Sequence, residues 1–283
     1  MTEIDVRAFD LYEAAGWDLV AATYGRVWSP ITSQAVGPLL DAAGVESGRR
    51  VVDVGTGAGD AAAAATERGA QATGVDVAAA MVQIAARRYP TTAFVAASVT
   101  DLPFPDESFD AASGNIVIQH VGEPQRAVRE LARVLVPGGR AALSTWDAPE
   151  RSPFFGALLG AIADAQVPPP NEIPPGPSFF EFADDAAFQS LLRSAGFVDV
   201  SVGTISIEFP VDSVDDLISA LADGTVRTGA LVRAAGEAQR RTLRQSLEAR
   251  LERWRRGDGY VVPAPVKLAS GRKPTSGSSH GSA

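Results

Sequence analysis

No cysteine occurs in the 283 residues of this chain, and histidine occurs only twice. Without cysteine there is no disulfide framework and no thiolate nucleophile. That composition fits a reducing cytoplasm, which is the expected location. His280 lies in a polar tail, so His120 is the one imidazole placed to act as a base near neutral pH. No metal site is expected. Nor does any run reach the roughly 18 apolar residues of a membrane-spanning helix. The first residues, MTEIDVRAFD, are acidic and lack the apolar core of a signal peptide. Positive charge is also short: 25 Lys and Arg stand against 34 Asp and Glu, a net charge of −9. This argues against a nucleic-acid backbone or an anionic membrane surface as partner, since both need clustered positive charge. What the chain does have is apolar residues, at 46%. They suffice for the core of one α/β domain with insertions, or of two small domains.

The chain is organised around Arg50 to Asp76. Val51-Val52-Asp53-Val54 reads as a short strand buried on both faces, as in parallel sheets. Gly55-Thr56-Gly57-Ala58-Gly59 follows, three glycines in five residues, which lets the backbone turn sharply and present its N–H groups. Asp60 then opens an alanine-rich helix, and Ala70 to Val75 is a second strand ending in Asp76. Strand, glycine loop, helix, strand and acid is the arrangement that holds an adenosine-type cofactor at the carboxyl ends of strands. An acid about 20 residues past the loop is placed to accept from ribose hydroxyls. A dinucleotide fingerprint would carry glycine where Asp60 stands, and a carboxylate there repels a pyrophosphate. The loop suits a phosphate-free ligand, such as an amino acid carried on adenosine.

VVDVGTGAG…GVD resembles the first two motifs of class I S-adenosylmethionine-dependent methyltransferases. Ser98 to Asp110, with Leu102-Pro103-Phe104 and Phe109-Asp110, resembles the third, and LARVLVPGGRAALSTWD again looks like this family. The likeness covers roughly residues 20–147 by motif, and more loosely runs to about 273. It implies S-adenosylmethionine as cofactor, with S-adenosylhomocysteine as product, and a small-molecule acceptor. It also implies a Rossmann-like, doubly wound α/β fold: a seven-stranded, mostly parallel sheet with its last strand antiparallel, plus helical lid insertions. Carried over residue by residue, the cofactor contacts implied are Tyr24 from the N-terminal segment, then Asp53, Gly55, Thr56, Gly57 and Gly59 around the first loop. Asp76 and Val77 follow at the sugar, Met81 against the adenine, Ser98 and Val99 at the adenine edge, and Asn115 and Ile116 on the methionine and ribose side. Ser98 departs from the family, which has an acid there; a hydroxyl accepts more weakly. Asp101 is an alternative acceptor at the wrong offset. His120 matches a histidine common in the fourth motif, a base in some relatives and a loop residue in others. Asp147, just past the fifth strand, is a candidate second acid or base able to face the substrate pocket, the other reading being an exposed loop carboxylate.

The remaining stretches give further expectations. Leu11, Ala14, Ala15, Leu19 and Ala22 have helical spacing. Phe109 to Ile118 reads as a strand, Pro124 to Leu135 as an amphipathic helix, and Arg140 to Trp146 as a strand. A proline-rich stretch, 148–182, carries Phe154, Phe155, Phe179 and Phe180, able to wall an apolar pocket. Phe197 to Phe209 reads as one strand bulged near Gly203, and Tyr260 to Ala269 as the last strand. Arg227 to Arg256 holds nine arginines against three glutamates, a basic amphipathic stretch better explained by acidic neighbours than by a membrane. The expected division is an N-terminal helical cap (1–48), the main domain (49–273, with insertions at about 148–182 and 211–257) and a disordered tail (274–283). A homodimer is compatible with all this. Two other functions stay open: a cyclase-like enzyme or regulatory module that binds the same cofactor without transferring methyl, and a nicotinamide-dependent oxidoreductase. Asp60 and the Leu-Pro-Phe segment disfavour the second.

Overall fold

The protein is described from a computed structural model covering residues 5–275. The expected tail beyond 275, with His280, lies outside the described residues. The strands, in chain order, are β1 (Arg50–Val54), β2 (Gln71–Asp76), β3 (Ala93–Ala96), β4 (Phe109–Gly114), β5 (Leu135–Trp146), β6 (Val198–Ile205), β7 (Glu208–Val211), β8 (Arg255–Arg256), β9 (Gly259–Pro263) and β10 (Val266–Arg272).

A seven-stranded sheet runs in the order β3-β2-β1-β4-β5-β10-β6. β3, β2, β1, β4 and β5 pair in parallel. β10 is antiparallel to both its neighbours, β5 and β6. The valines of β1 are fully buried because helices cover both faces of the sheet. On one face, Val36, Leu39 and Leu40 join Ala61, Ala62 and Ala65 of the glycine-loop helix. On the other, Ala127, Val128, Leu131 and Val134 of helix Pro124–Val134 meet Phe188 and Leu192 of helix Asp185–Ser194. Strand order reverses between β1 and β4, and that switch point opens a crevice at the strands' carboxyl ends.

A second layer closes over this crevice. It consists of helix Pro153–Asp164, helices Val214–Gly224, Arg227–Ala234 and Glu237–Leu251, and a small sheet ordered β7-β9-β8. Its own apolar core includes Trp28, Phe154, Phe209, Leu221 and Leu247. Several expected boundaries move. Phe197 to Phe209 is two strands in different sheets, with no irregularity at Gly203; the register shift lies at Ser270/Arg272. Tyr260 to Ala269 likewise splits into β9 and β10 around Ala264-Pro265, where proline cannot donate a ladder bond. The basic stretch is two helices, broken at Ala235-Gly236, and its arginines pair with acids such as Asp215 (3.1 Å from Arg244) and Asp164 (2.8 Å from Arg250).

The N-terminal segment is helical from Val6 to Ala42, with a wider π-helical turn at Tyr24–Trp28. Asp5 caps it, its side chain accepting from the Ala8 N–H at 3.0 Å. The expected apolar stripe is on the wrong face: Leu11 is 62% and Leu19 86% exposed. The face turned inward carries Phe9, Glu13 and Val20. A buried carboxylate in that face hides it from a count of apolar residues.

Candidate functional site

The crevice contains a cavity whose floor is the loop after β1. Gly55, Gly57 and Gly59 have φ of +60°, +53° and +92°, the left-handed region that side chains resist. A Cβ on Gly55 would lie 2.1 Å from Val117 Cγ2. Gly55→Ala is therefore expected to cost about 2–4 kcal/mol of stability, from left-handed backbone and overpacking together. Urea unfolding measures this, and a loss below about 1 kcal/mol would contradict the strained-loop account.

Asp53 and Thr56 support the loop rather than facing the cavity. Asp53 is buried; its Oδ2 accepts from Thr56 Oγ1 (2.7 Å) and its Oδ1 from Ser113 Oγ (2.8 Å). Gly59 also faces away: a Cβ there would come 2.9 Å from Ala85 and Phe94, so it permits close packing of helix on strand. These three expected cofactor contacts are thus corrected to supports of the loop. Asp60 likewise lies outside the cavity wall, accepting from Tyr89 and Ser29 and paired with Arg88 at 3.2 Å. Its charge is spent there, which weakens the expected repulsion of a pyrophosphate.

Asp76 ends β2 and faces the cavity beside Gly57. Its Oδ2 accepts from the Gly57 N–H (2.8 Å) and its Oδ1 from the Ala78 N–H (2.9 Å). Each carboxylate oxygen has a second lone pair, so the ribose of a bound nucleoside still finds acceptors. Burial pushes the Asp76 carboxyl up to about 6. Hydroxyl donors favour the ionised form, so affinity for S-adenosylmethionine is expected to hold above pH 6 and to weaken as pH falls from 6 to 5. Calorimetric titration at several pH values checks this; constant affinity across that range would detach Asp76 from the sugar.

Tyr24 lies over the loop, its Cε1 3.3 Å from where a Gly57 Cβ would sit. Burial pushes its phenol up to about 12, so it covers the site as a neutral ring. Val77, Met81, Ser98 and Val99 continue the wall on the β2 and β3 side. The Ser98 hydroxyl already engages Thr100 at 2.8 Å, and Asp101 is exposed outside the cavity, so Asp101 does not replace the family's acid.

β4 ends at Gly114 rather than Ile118 because Ile116 turns the chain with φ +54°. A β-branched residue there is strained, at about 1–3 kcal/mol. Two hydrogen bonds hold it: Ser144 Oγ accepts from its N–H (2.8 Å), and Gln119 Nε2 donates to its carbonyl (2.9 Å). Asn115 is locked as well, donating to the Thr32 carbonyl at 2.9 Å and accepting from Ser144 at 2.8 Å. Both residues line the cavity, and the turn delivers His120 to it.

His120 Nδ1 lies 2.9 Å from Glu13 Oε2, which also accepts from Trp17 Nε1 at 3.0 Å. Glu13 Oε1 is 2.8 Å from Arg227 Nε, and Arg227 Nη2 donates to the Gln119 carbonyl at 2.6 Å. Burial raises the Glu13 carboxyl, but His120 and Arg227 outweigh it and hold the group below its usual range. Neither Glu13 nor Arg227 was expected in the site. The signal was present, since Phe9, Glu13, Trp17 and Tyr24 lie four, four and seven residues apart, one helical face. Asp147 is corrected in the other direction. It is only 3% exposed, yet it is absent from the cavity wall, and its Oδ1 is taken by the Arg151 guanidinium at 2.5 Å.

Trp28, Trp146, Phe154, Phe155, Leu158 and Phe179 form the opposite wall of the same cavity. Phe180 stands behind them, edge-on to Phe155 at 5.3 Å.

S-adenosylmethionine fits these residues. Asp76 faces the cavity with acceptor lone pairs to spare, the loop at Gly57 has no side chain in the way, and Tyr24 and Met81 offer apolar cover. Comparison with known proteins agrees. A family described as methyltransferase domain matches residues 52–143. The chain is 31% identical over 196 residues to a demethylmenaquinone methyltransferase of Clavibacter sepedonicus, covering 64% of this chain and 76% of that protein. Its fold is similar to that of the YcgJ protein of Bacillus subtilis, with TM-score 0.56, 21% identity, and 85% and 98% of the two chains covered. It is also similar to Haemonchus contortus phosphoethanolamine N-methyltransferase 2 solved with S-adenosylhomocysteine, with TM-score 0.52, 18% identity, and 85% and 52% covered. Among the described residues, no helix is long and apolar enough to cross a membrane. A glycine loop and an acid joined by one hydrogen bond at the sheet's switch point, together with a relative at 31% identity, lead to one assignment: the chain belongs to the class I S-adenosylmethionine-dependent methyltransferases, enzymes of EC 2.1.1.

Proposed function

We propose that the acceptor is a small apolar, aromatic molecule and that His120 takes its proton as the methyl arrives. The observation that carries this reading is one imidazole set at the edge of an aromatic wall, between Trp17 (ring centres 4.9 Å apart) and Phe179 (5.6 Å). When bound, S-adenosylmethionine supplies a methyl group on a positively charged sulfur.

The chain's own contribution is mostly placement. The aromatic wall binds a flat apolar acceptor and excludes water. Asp76 fixes the sugar, and the locked turn at Asn115 and Ile116 fixes the wall between the two halves. In-line transfer needs the nucleophile within about 3–3.5 Å of the carbon, and such alignment provides a large part of the rate. A base is needed where the nucleophile carries a proton, and His120 is the base at hand.

The name of the Clavibacter relative fits the same acceptor class and makes demethylmenaquinone, reduced beforehand with dithionite or borohydride to the hydroquinone that carries the proton, the first acceptor to test. The assay is release of S-adenosylhomocysteine with demethylmenaquinone, with small phenols, and with polar amines. Turnover with the aromatic acceptors supports the reading; turnover confined to the polar amines would overturn it.

A further inference from the structure

We propose that Glu13 and Arg227 are positioning residues for His120, and that the reactive face of the imidazole is set by the docking of three separate segments. The proposal rests on the reading of His120 as base and adds what holds it. Helix Val6–Thr23 brings Glu13, the turn after β4 brings His120, and helix Arg227–Ala234 brings Arg227.

The chemistry follows from the donor inventory. An ionised carboxylate only accepts. Glu13 is 2% exposed and its Oε2 lies 2.9 Å from His120 Nδ1. The proton of the neutral ring must therefore sit on Nδ1, which leaves the lone pair on Nε2. Trp17 donates to that same Oε2 and stands edge-on to the ring, so the carboxylate cannot swing away. Arg227 sets its positive charge 2.8 Å from the second oxygen, an ion pair without hydrogen-bond alignment. It is itself held over the Phe9 and Phe179 rings, at 5.2 and 4.9 Å from their centres. Carboxylate, imidazole and guanidinium thus form a clasp in the cavity wall that joins the N-terminal helix to the helical layer. Opening either helix frees the imidazole to adopt the other tautomer.

The test reads the tautomer directly by long-range nitrogen–proton correlation. His280→Ala leaves His120 as the single imidazole, since the chain has two histidines. The parent is expected to show a proton on Nδ1 and a bare Nε2. The double variant Glu13→Leu with Arg227→Leu leaves no charge buried without a partner; the Trp17 indole and the Gln119 carbonyl each lose one, at about 1–3 kcal/mol, so its fold is checked by circular dichroism before the ring is read. It is expected to show mixed tautomers. Its kcat with demethylmenaquinone should fall about tenfold or more, with KM for S-adenosylmethionine within about twofold. A proton on Nε2 in the parent would overturn the proposal, as would an unchanged ring pattern in the double variant. Failure of the base reading looks different: His120→Ala would turn over normally while the tautomer still depended on Glu13.

Discussion

Replacing Asp76 with alanine is expected to weaken S-adenosylmethionine binding by a hundredfold or more. Two ribose hydroxyls donating to a buried carboxylate are each worth about 1.5–3 kcal/mol. Their joint loss, about 3–6 kcal/mol, corresponds to a factor on the order of 10² to 10⁴. The variant also removes the acceptor of the Gly57 and Ala78 N–H groups, so the loop loses its tie to β2. Asp76→Asn separates the two effects. An amide oxygen can keep one of those bonds, so the loop survives while the charge is lost, and an intermediate affinity is expected. Calorimetric titration of each variant settles the matter. Binding by Asp76→Ala within about threefold of the parent would remove the sugar from this position, and the orientation of the whole cofactor with it.

His120→Ala is expected to lower turnover at least tenfold while S-adenosylmethionine affinity stays nearly intact. A positioned base contributes about 10² to 10⁴ in rate, and the lower bound allows for water serving in its place. The fold should tolerate the change. Glu13 keeps the Trp17 indole as a donor and Arg227 as a counter-ion, so no buried charge is stranded. Steady-state kinetics with an accepted substrate, beside a calorimetric titration of the cofactor, distinguish the outcomes. Unchanged kcat would leave alignment alone as the source of rate; lost cofactor affinity would make His120 a structural residue of the turn.

The meeting of the glycine loop with Asp76 was legible in the sequence because it is local. β1, the glycine loop and β2 are adjacent in the chain, and their spacing brings Gly57 and Asp76 together wherever a parallel sheet forms. The acceptor half was not legible for the opposite reason. Glu13 and His120 are 107 residues apart and meet only through packing of the cap. Glu13 also sits on the helix face that a search for apolar spacing rejects. Asp147 failed in a complementary way: its place after β5 was read correctly, but Arg151, four residues on, took the carboxylate. Asp53, Thr56 and Gly59 belong to the motif and brace the loop. A motif records which residues the loop needs, and some of them brace it from behind.

The excursion between β6 and β10 has a consequence for how such a protein diversifies. Ile205 and Val266 face each other in the sheet, so residues 206–265 leave and return at one doorway. Lengthening a loop with fixed ends costs little, about 0.6 kcal/mol for each doubling. Its length can therefore change with the underlying strands left in register, provided Trp28 and Phe154 keep partners in the core they share with Phe209, Leu221 and Leu247. It carries Leu221 and Arg227 of the cavity, while Gly57 and Asp76 lie outside it. Exchanging this segment would thus change Leu221 and Arg227 at the cavity, while the cofactor end and the aromatic wall at Trp146, Phe154 and Phe179 stay as they are.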